Sequence, residues 1–324
     1  MKKLLVKIVT AAMMMTLPIF LTSCGKSNSF KLEKEGDVEF MLELTTQENV
    51  QATLEQTVSI LRARLDKAGY EFNIDKHDSK PLIVVVGHEL TDNERLQQMR
   101  KMLVSSGMLE FWETYDSQDL YADMVALSQE YDDLLLGKLL QGTFYQGTAS
   151  VGYASPSDTA AVNTIIHSEQ ARRMLPQDLR LLWGAKPFVF DSYYGRADRQ
   201  EKIELYAIRT VYSGKPYVDG RVVTSAKVEK GYDDQPVISI EMDASGARIW
   251  ANMTRKNVGH NIAMVIDGEV LSAPRVNSEI TGGHSQITGN FTLDELKQLA
   301  ASIDAKPLPV PVRIIAERNF LPSH

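Results

Sequence analysis

Regular pattern begins where apolar and charged positions alternate: Val38, Phe40, Leu42 and Leu44 fall on one side, Asp37, Glu39 and Glu43 on the other. A period of two marks a half-buried strand. From Glu48 to Ala68 the period lengthens, and Val50, Leu54, Val58, Leu61 and Leu65 share one helical stripe that Gly69 terminates. "YEFNIDKH" and "LIVVVGHE" predict two strands joined by the polar turn "DSK". A second helix is expected from Thr91, with a capping box to Glu94, burying Leu96, Met99 and Leu103 and stopping near Gly107. "MLEFWETY" predicts the next strand.

The order β-α-β-β-α-β is that of a ferredoxin-like domain, so the expected fold class is α+β, with residues 37–115 forming a base. From Asp116 to about Gln200 the pattern is poor. "SQDLYADMVALSQEYDDLLLGKLLQ" reads as helix and "GTFYQGTASVGYASPSD" as loop, while "DTAAVNTIIHSEQARRML" and "QDLRLLWG" read as short helices. Residues 116–200 are therefore expected to be a helical insertion. Strand character resumes at "IELYAIRT" and opens a second α+β unit, residues 201–309. Its elements are "TSAKVEKG", "PVISIEMD", the helix "ASGARIWANMTRKN", "HNIAMVIDG", "EVLSAPRV", "SQITGN" and the helix "TLDELKQLAASI". Asp267-Gly268 predicts a two-residue hairpin. Thr292 and Glu295 form a capping box, with Phe291 and Leu296 placed as a hydrophobic staple. "KPLPVP" precedes a last strand, "VRIIAERNF".

The N-terminus adds a location. "MKKLLVK" is a basic region, "IVTAAMMMTLPIFL" is apolar but short for a bilayer, and "LTSC" brings small residues up to Cys24. This pattern predicts a lipoprotein signal over residues 1–23, acylation of Cys24 and a tether over 24–36. Several acyl chains anchor a protein durably, and the absence of an acidic cluster after Cys24 points to the periplasmic face of a membrane. Cys24 is the only cysteine, so no intramolecular disulfide is expected and the core must hold the fold. No later run reaches 18 apolar residues.

Of the 324 residues 44% are hydrophobic and 24% charged, a globular composition. The net charge is −7, and removal of a leader bearing Lys2, Lys3 and Lys7 leaves −10. With no basic stripe, nucleic acid is not an expected partner. "GGHSQITGN" lacks the Lys-Ser/Thr ending of a P-loop and the spacing of a dinucleotide fingerprint. The histidines at 77, 88, 167, 260, 284 and 324 are scattered, and neither a zinc-protease signature nor a nucleophile elbow is present. Asp132-Asp133 and Asp233-Asp234 sit in polar contexts that read as solvated charge. The expectation is a non-enzymatic protein with no cofactor, no metal and no small-molecule substrate. A hydrolase or glycan binder has only the tyrosines around Tyr145 and Tyr153 in its favour.

"VDGRVVTSAKV", "PVISIEMDASGARIWANMTRKNVGHNIAMVIDGEVLSAPRVNSEITGGHSQITGNFTLDELKQLA", "LPVPVRIIAERN", "TVSILRARLDKAG" and "LEFWETY" together resemble the first periplasmic domain of SecD, an accessory subunit of the Sec translocase. The resemblance covers about residues 37–115 and 217–320. It implies a base closed by the returning strand 310–320 and a head within 201–309 that can swing relative to it. It also implies Ser272, Arg275, Gly282, Gly283, Gln286 and Gly289 as a head motif bordering a polypeptide-binding surface. The family's Gly-Leu-Asp-Leu-x-Gly-Gly entry is replaced by "KLEKEGDVEFML", and the sequence stops at "FLPSH" before the family's proton-driven transmembrane helices. The implied partners are unfolded or emerging polypeptides, or Sec translocase components, without a motor in this chain. The alternative is an envelope module that reuses the head to bind a folded partner, with the insertion as its contact surface.

Overall fold

A computed structural model of the chain describes residues 32–46, 48–77, 80–139, 148–190, 200–210, 214–231 and 234–320. The leader, Cys24, the first part of the tether and Tyr145 lie outside the described residues. The chain begins with β1 (Val38–Leu44), α1 (Val50–Lys67), β2 (Phe72–Lys76), β3 (Leu82–Gly87), α2 (Asn93–Val104) and β4 (Leu109–Thr114). Next come α3 (Ser117–Gln129), α4 (Leu134–Lys138), β5 (Ser150–Ala154), α5 (Thr159–Ile166), α6 (Glu169–Met174), β6 (Leu179–Trp183), β7 (Phe188–Phe190) and β8 (Gln200–Arg209). The remainder is β9 (Val218–Asp219), β10 (Val223–Lys230), β11 (Pro236–Met242), α7 (Ala244–Lys256), β12 (Ile262–Ile266), β13 (Glu269–Ser272), β14 (His284–Ile287), α8 (Leu293–Asp304) and β15 (Val312–Asn319). The fold is α+β.

Three sheets organise these elements. The first has the order β15-β1-β3-β2, all antiparallel. Leu54, Leu61 and Leu65 of α1 and Met99 and Leu103 of α2 are buried with Phe40, Leu42, Ile83 and Val85 of this sheet. The expected fourth strand, 109–114, is not in it. β4 pairs instead with β12, β8 and β9, and β15 takes the place beside β1. Burial explains the difference. Phe111 of β4 sits in the core that contains Ile240 and Trp250, whereas Trp112 sits in another with Ile208 and Val265. A strand buried on both sides suits the interior of a large sheet, not the edge of a small one.

That large sheet runs β13-β12-β4-β8-β5, with β6 and β7 also paired to β8 and β9 to β4. It corrects the expectation that residues 116–200 form a helical insertion without strands. Ser150–Ala154, read as loop, is a fully buried strand, and Leu179–Trp183, read as helix, pairs with β8 across five residues. The helices α3, α5 and α6 bury Leu120, Met124, Leu127, Val162, Ile165 and Ala171 with Val151, Leu205 and Ala207. Tyr153 is buried and meets the Phe188 ring edge-on at 5.7 Å, so it serves packing. At α2 the cap is Asp92 and not Thr91: its carboxylate accepts from the N–H of Glu94 (3.3 Å) and Arg95 (3.1 Å).

The passages between the first sheet and the rest meet at Arg64. This side chain is fully buried in α1. Nη1 donates to the carbonyls of Met102 (3.4 Å) and Ser105 (2.6 Å), and Nη2 to those of Ser106 (2.9 Å) and Lys306 (3.1 Å). Ser105 and Ser106 lie on the way from α2 to β4, and Lys306 lies on the return from α8 to β15. One guanidinium therefore grips both crossings. Burial pulls its pKa down to about 10, which leaves it charged at neutral pH. Gly107 has φ +67°, and a Cβ there would stand 2.2 Å from Arg64 Nη2, so a glycine is needed at that point. Asp267, in the β12–β13 turn, adds a clasp by accepting from Ser105 Oγ (2.5 Å) and the Ser106 N–H (3.0 Å).

A candidate binding cleft beside strand β14

The third sheet, β10-β11-β14, carries the motif "ITGGHSQITGN". Ile238, Ile240 and Ile287 from its strands are buried with Trp250 and Met253 of α7 and with Leu296 and Ala300 of α8. α7 starts at Asp243, whose carboxylate accepts from the N–H of Gly246 (2.7 Å) and Ser245 (2.9 Å). The Gly246 N–H first, then Ser245, hold that carboxyl below the usual aspartate range. Met242 donates its N–H to the Gly283 carbonyl at 2.9 Å. Gly283 has φ +68°, and a Cβ there would come within 2.7 Å of the Ala247 Cβ. Strand and helix can approach this closely only because the residue is glycine.

A cleft of about 500 Å3 runs beside β14. His284, Ser285 and Gln286 line one part, residues 274–278 and Ile280 another, and the buried core residues Trp250, Ile262 and Met264 lie beneath it. The 274–280 segment is pinned from behind. Val276 donates its N–H to the His260 carbonyl (2.9 Å), Ile280 to Thr254 Oγ1 (3.0 Å), and Ile262 donates to the Pro274 carbonyl (3.2 Å). Trp250 is 2% exposed, stacks at 58° on Phe111 with centroids 4.9 Å apart, and its indole N–H has no acceptor among the described residues.

Register decides which backbone groups of β14 are free. Met242 donates its N–H to the Gly283 carbonyl, which marks a bonded pair, and Glu241, Ile240, Ser239 and Ile238 stand opposite His284, Ser285, Gln286 and Ile287. Because bonded and non-bonded pairs alternate in an antiparallel ladder, Ser285 and Ile287 bond to β11. His284 and Gln286 then turn their N–H and C=O toward the outer edge, where no described strand pairs with β14.

The six residues of the expected head motif fall into different places. Arg275 and Gln286, both exposed, share the cleft. Among the described residues no carboxylate lies within ion-pair distance of Arg275. Ser272, 8% exposed, closes β13 opposite Met264, and Gly283 is the buried approach to α7. Gly282 is exposed in the turn, and Gly289 lies under the Phe291 ring, whose edge a Cβ would meet at 2.5 Å. Trp250, Met264 and the 277–280 wall were not legible beforehand. Trp250 sits on the apolar stripe of α7 with Met253, and spacing does not separate a cleft residue from a core one. Among the described residues no cluster of three His, Cys, Asp or Glu side chains could hold a metal, and no helix is long and apolar enough to cross a membrane.

Comparison with known proteins agrees with this architecture. Residues 194–310 match the family "SecDF, P1 head subdomain". The chain is 28% identical, over 321 aligned positions covering 85% of it, to the protein translocase subunit SecD of Rhodothermus marinus. It is 42% identical over 111 residues, 34% of the chain, to SecD of Dictyoglomus turgidum. It spans 48% of the first relative and 28% of the second. Among solved structures, SecDF in its super-membrane-facing form superposes with a TM-score of 0.50 at 20% identity, over 88% of this chain and 30% of the other. That likeness concerns the fold. Residues 194–310 thus match the SecDF P1 head subdomain, and the chain is similar along most of its length to SecD, of which it spans about half.

Proposed function

We propose that this protein binds unfolded or emerging polypeptides at the cleft beside β14, in or beside Sec-dependent export at the cell envelope. The observation that carries the reading is the cleft itself: a strand edge that no described strand pairs and a guanidinium with no carboxylate partner among the described residues border one space. Main-chain hydrogen bonds at a strand edge recognise extended chains with little regard to sequence. The relatives named as translocase subunits support the setting. The lipoprotein pattern ending at Cys24 supports tethering to a membrane on its periplasmic side. The tethered chain acts by binding and needs no catalytic group.

The test adds the full mature protein to a chemically unfolded, reduced substrate protein and follows light scattering on dilution from denaturant. Slower aggregation, weakened by Arg275→Glu, is expected. No effect at excess protein sinks the reading. If one folded protein co-purifies instead, and surface substitutions at the exposed Tyr121 of α3 and Arg173 of α6 abolish that, the chain is a structural envelope module. For the tether, labelled fatty acid should enter the wild type, while Cys24→Ser should lose the label and leave the membrane fraction.

A further inference from the structure

We infer that the cleft takes its ligand by strand addition: an extended, non-native polypeptide segment pairs with the outer edge of β14 and presents a carboxylate to Arg275. The inference rests on the polypeptide-binding reading and deepens it by naming the mode, the backbone groups and the charge preference.

Three observations converge. The ladder register leaves the N–H and C=O of His284 and Gln286, one residue apart, facing away from β11. That spacing matches the main-chain repeat of an added strand, whose alternate residues pair and whose intervening side chains point to opposite faces. Among the described residues no backbone hydrogen bond joins these groups to the opposite wall, where Val276 and Ile280 donate to His260 and Thr254 instead. Next, the His284 and Gln286 side chains are exposed beside that edge, so an added strand meets them without displacing the core. Last, Arg275 faces the cleft exposed and without an ion pair among the described residues, which favours segments with an acidic residue over basic ones.

The experiment uses the full mature chain and a short fluorescent peptide of alternating valine and threonine with one central glutamate, read by anisotropy. Gln286→Pro deletes one edge N–H that β11 does not use, while Gln286→Ala keeps it. Proline should weaken binding by about tenfold and alanine by less than about threefold. Replacing the peptide's glutamate by lysine should weaken binding to the wild type, and much less to Arg275→Ala. A second measurement needs no variant: with saturating peptide, amide exchange at His284 and Gln286 should slow, while Ser285 and Ile287, already bonded to β11, should change little. If peptide binds but those two amides stay unprotected and Gln286→Pro equals Gln286→Ala, strand addition is overturned and polypeptide binding stands. If no peptide binds at any concentration, both fall together.

Discussion

At the scale of single residues, buried charge is satisfied by backbone more than by opposite charge. Asp37 is 1% exposed; one carboxylate oxygen accepts from the N–H of Glu33 (2.8 Å) and Lys34 (3.1 Å), and the other meets His88 Nδ1 at 2.8 Å. Burial alone would raise its pKa, but the His88 contact and the two N–H groups outweigh burial and hold it below the ordinary value. A native pKa that is depressed gives stability that is complete above the unfolded value and is lost as pH falls through the native one. Asp37→Asn should therefore lower stability by about 1–3 kcal/mol near pH 7, and the gap from wild type should close as pH falls below the ordinary aspartate range, as read by urea titration. A gap that persists in acid would show that the carboxylate's charge is not what matters. Gly283→Ala tests the approach of α7 to β14: the left-handed backbone and the 2.7 Å contact with Ala247 together should cost about 1–3 kcal/mol in the same assay.

At the scale of elements, local signals set the ends and tertiary packing sets the partners. The capping box is formed: Thr292 Oγ1 accepts from the Glu295 N–H at 3.3 Å, and Glu295 accepts from the Thr292 N–H at 2.7 Å. Thr292→Ala should cost about 1 kcal/mol in thermal or urea unfolding, and a Ser replacement should restore most of it. This box and the Asp267-Gly268 turn, with φ of +52° and +81°, were legible because each depends on neighbours in sequence. The extent of α1 was legible from its apolar stripe. The destination of β4 was not, because alternation says that a strand has two faces and not which sheet claims them. β5 and β6 were missed for a related reason: the serine and glycine of "SVGYA" read as loop and "LRLLW" fits a helix or a strand, until β8 offers each a ladder. The head motif divided in the same way. Its glycines and polar residues were readable as turn and strand, but only the folded chain puts Arg275 and Gln286 in one cleft and Ser272 under cover.

At the scale of the molecule, Arg64 ties the first sheet to the rest by gripping carbonyls on both crossings. Arg64→Met should cost about 2–4 kcal/mol, since it strands buried carbonyls that a methionine cannot satisfy. It should also split one cooperative unfolding transition into two in calorimetry, whereas a single sharp transition would assign the coupling to other contacts. Arg64→Lys should recover little, because one ammonium cannot span four carbonyls in a plane. The cleft beside β14 belongs to a different sheet from the β15 edge of the first sheet. The most direct test of the account is in-cell photocrosslinking from probes at Arg275 and Gln286, with Ile315 on β15, 44% exposed, as the comparison position. Many unrelated secreted chains captured from the two cleft positions, and few from Ile315, is the result this account requires; equal capture from all three, or a single folded protein from the cleft, would contradict it.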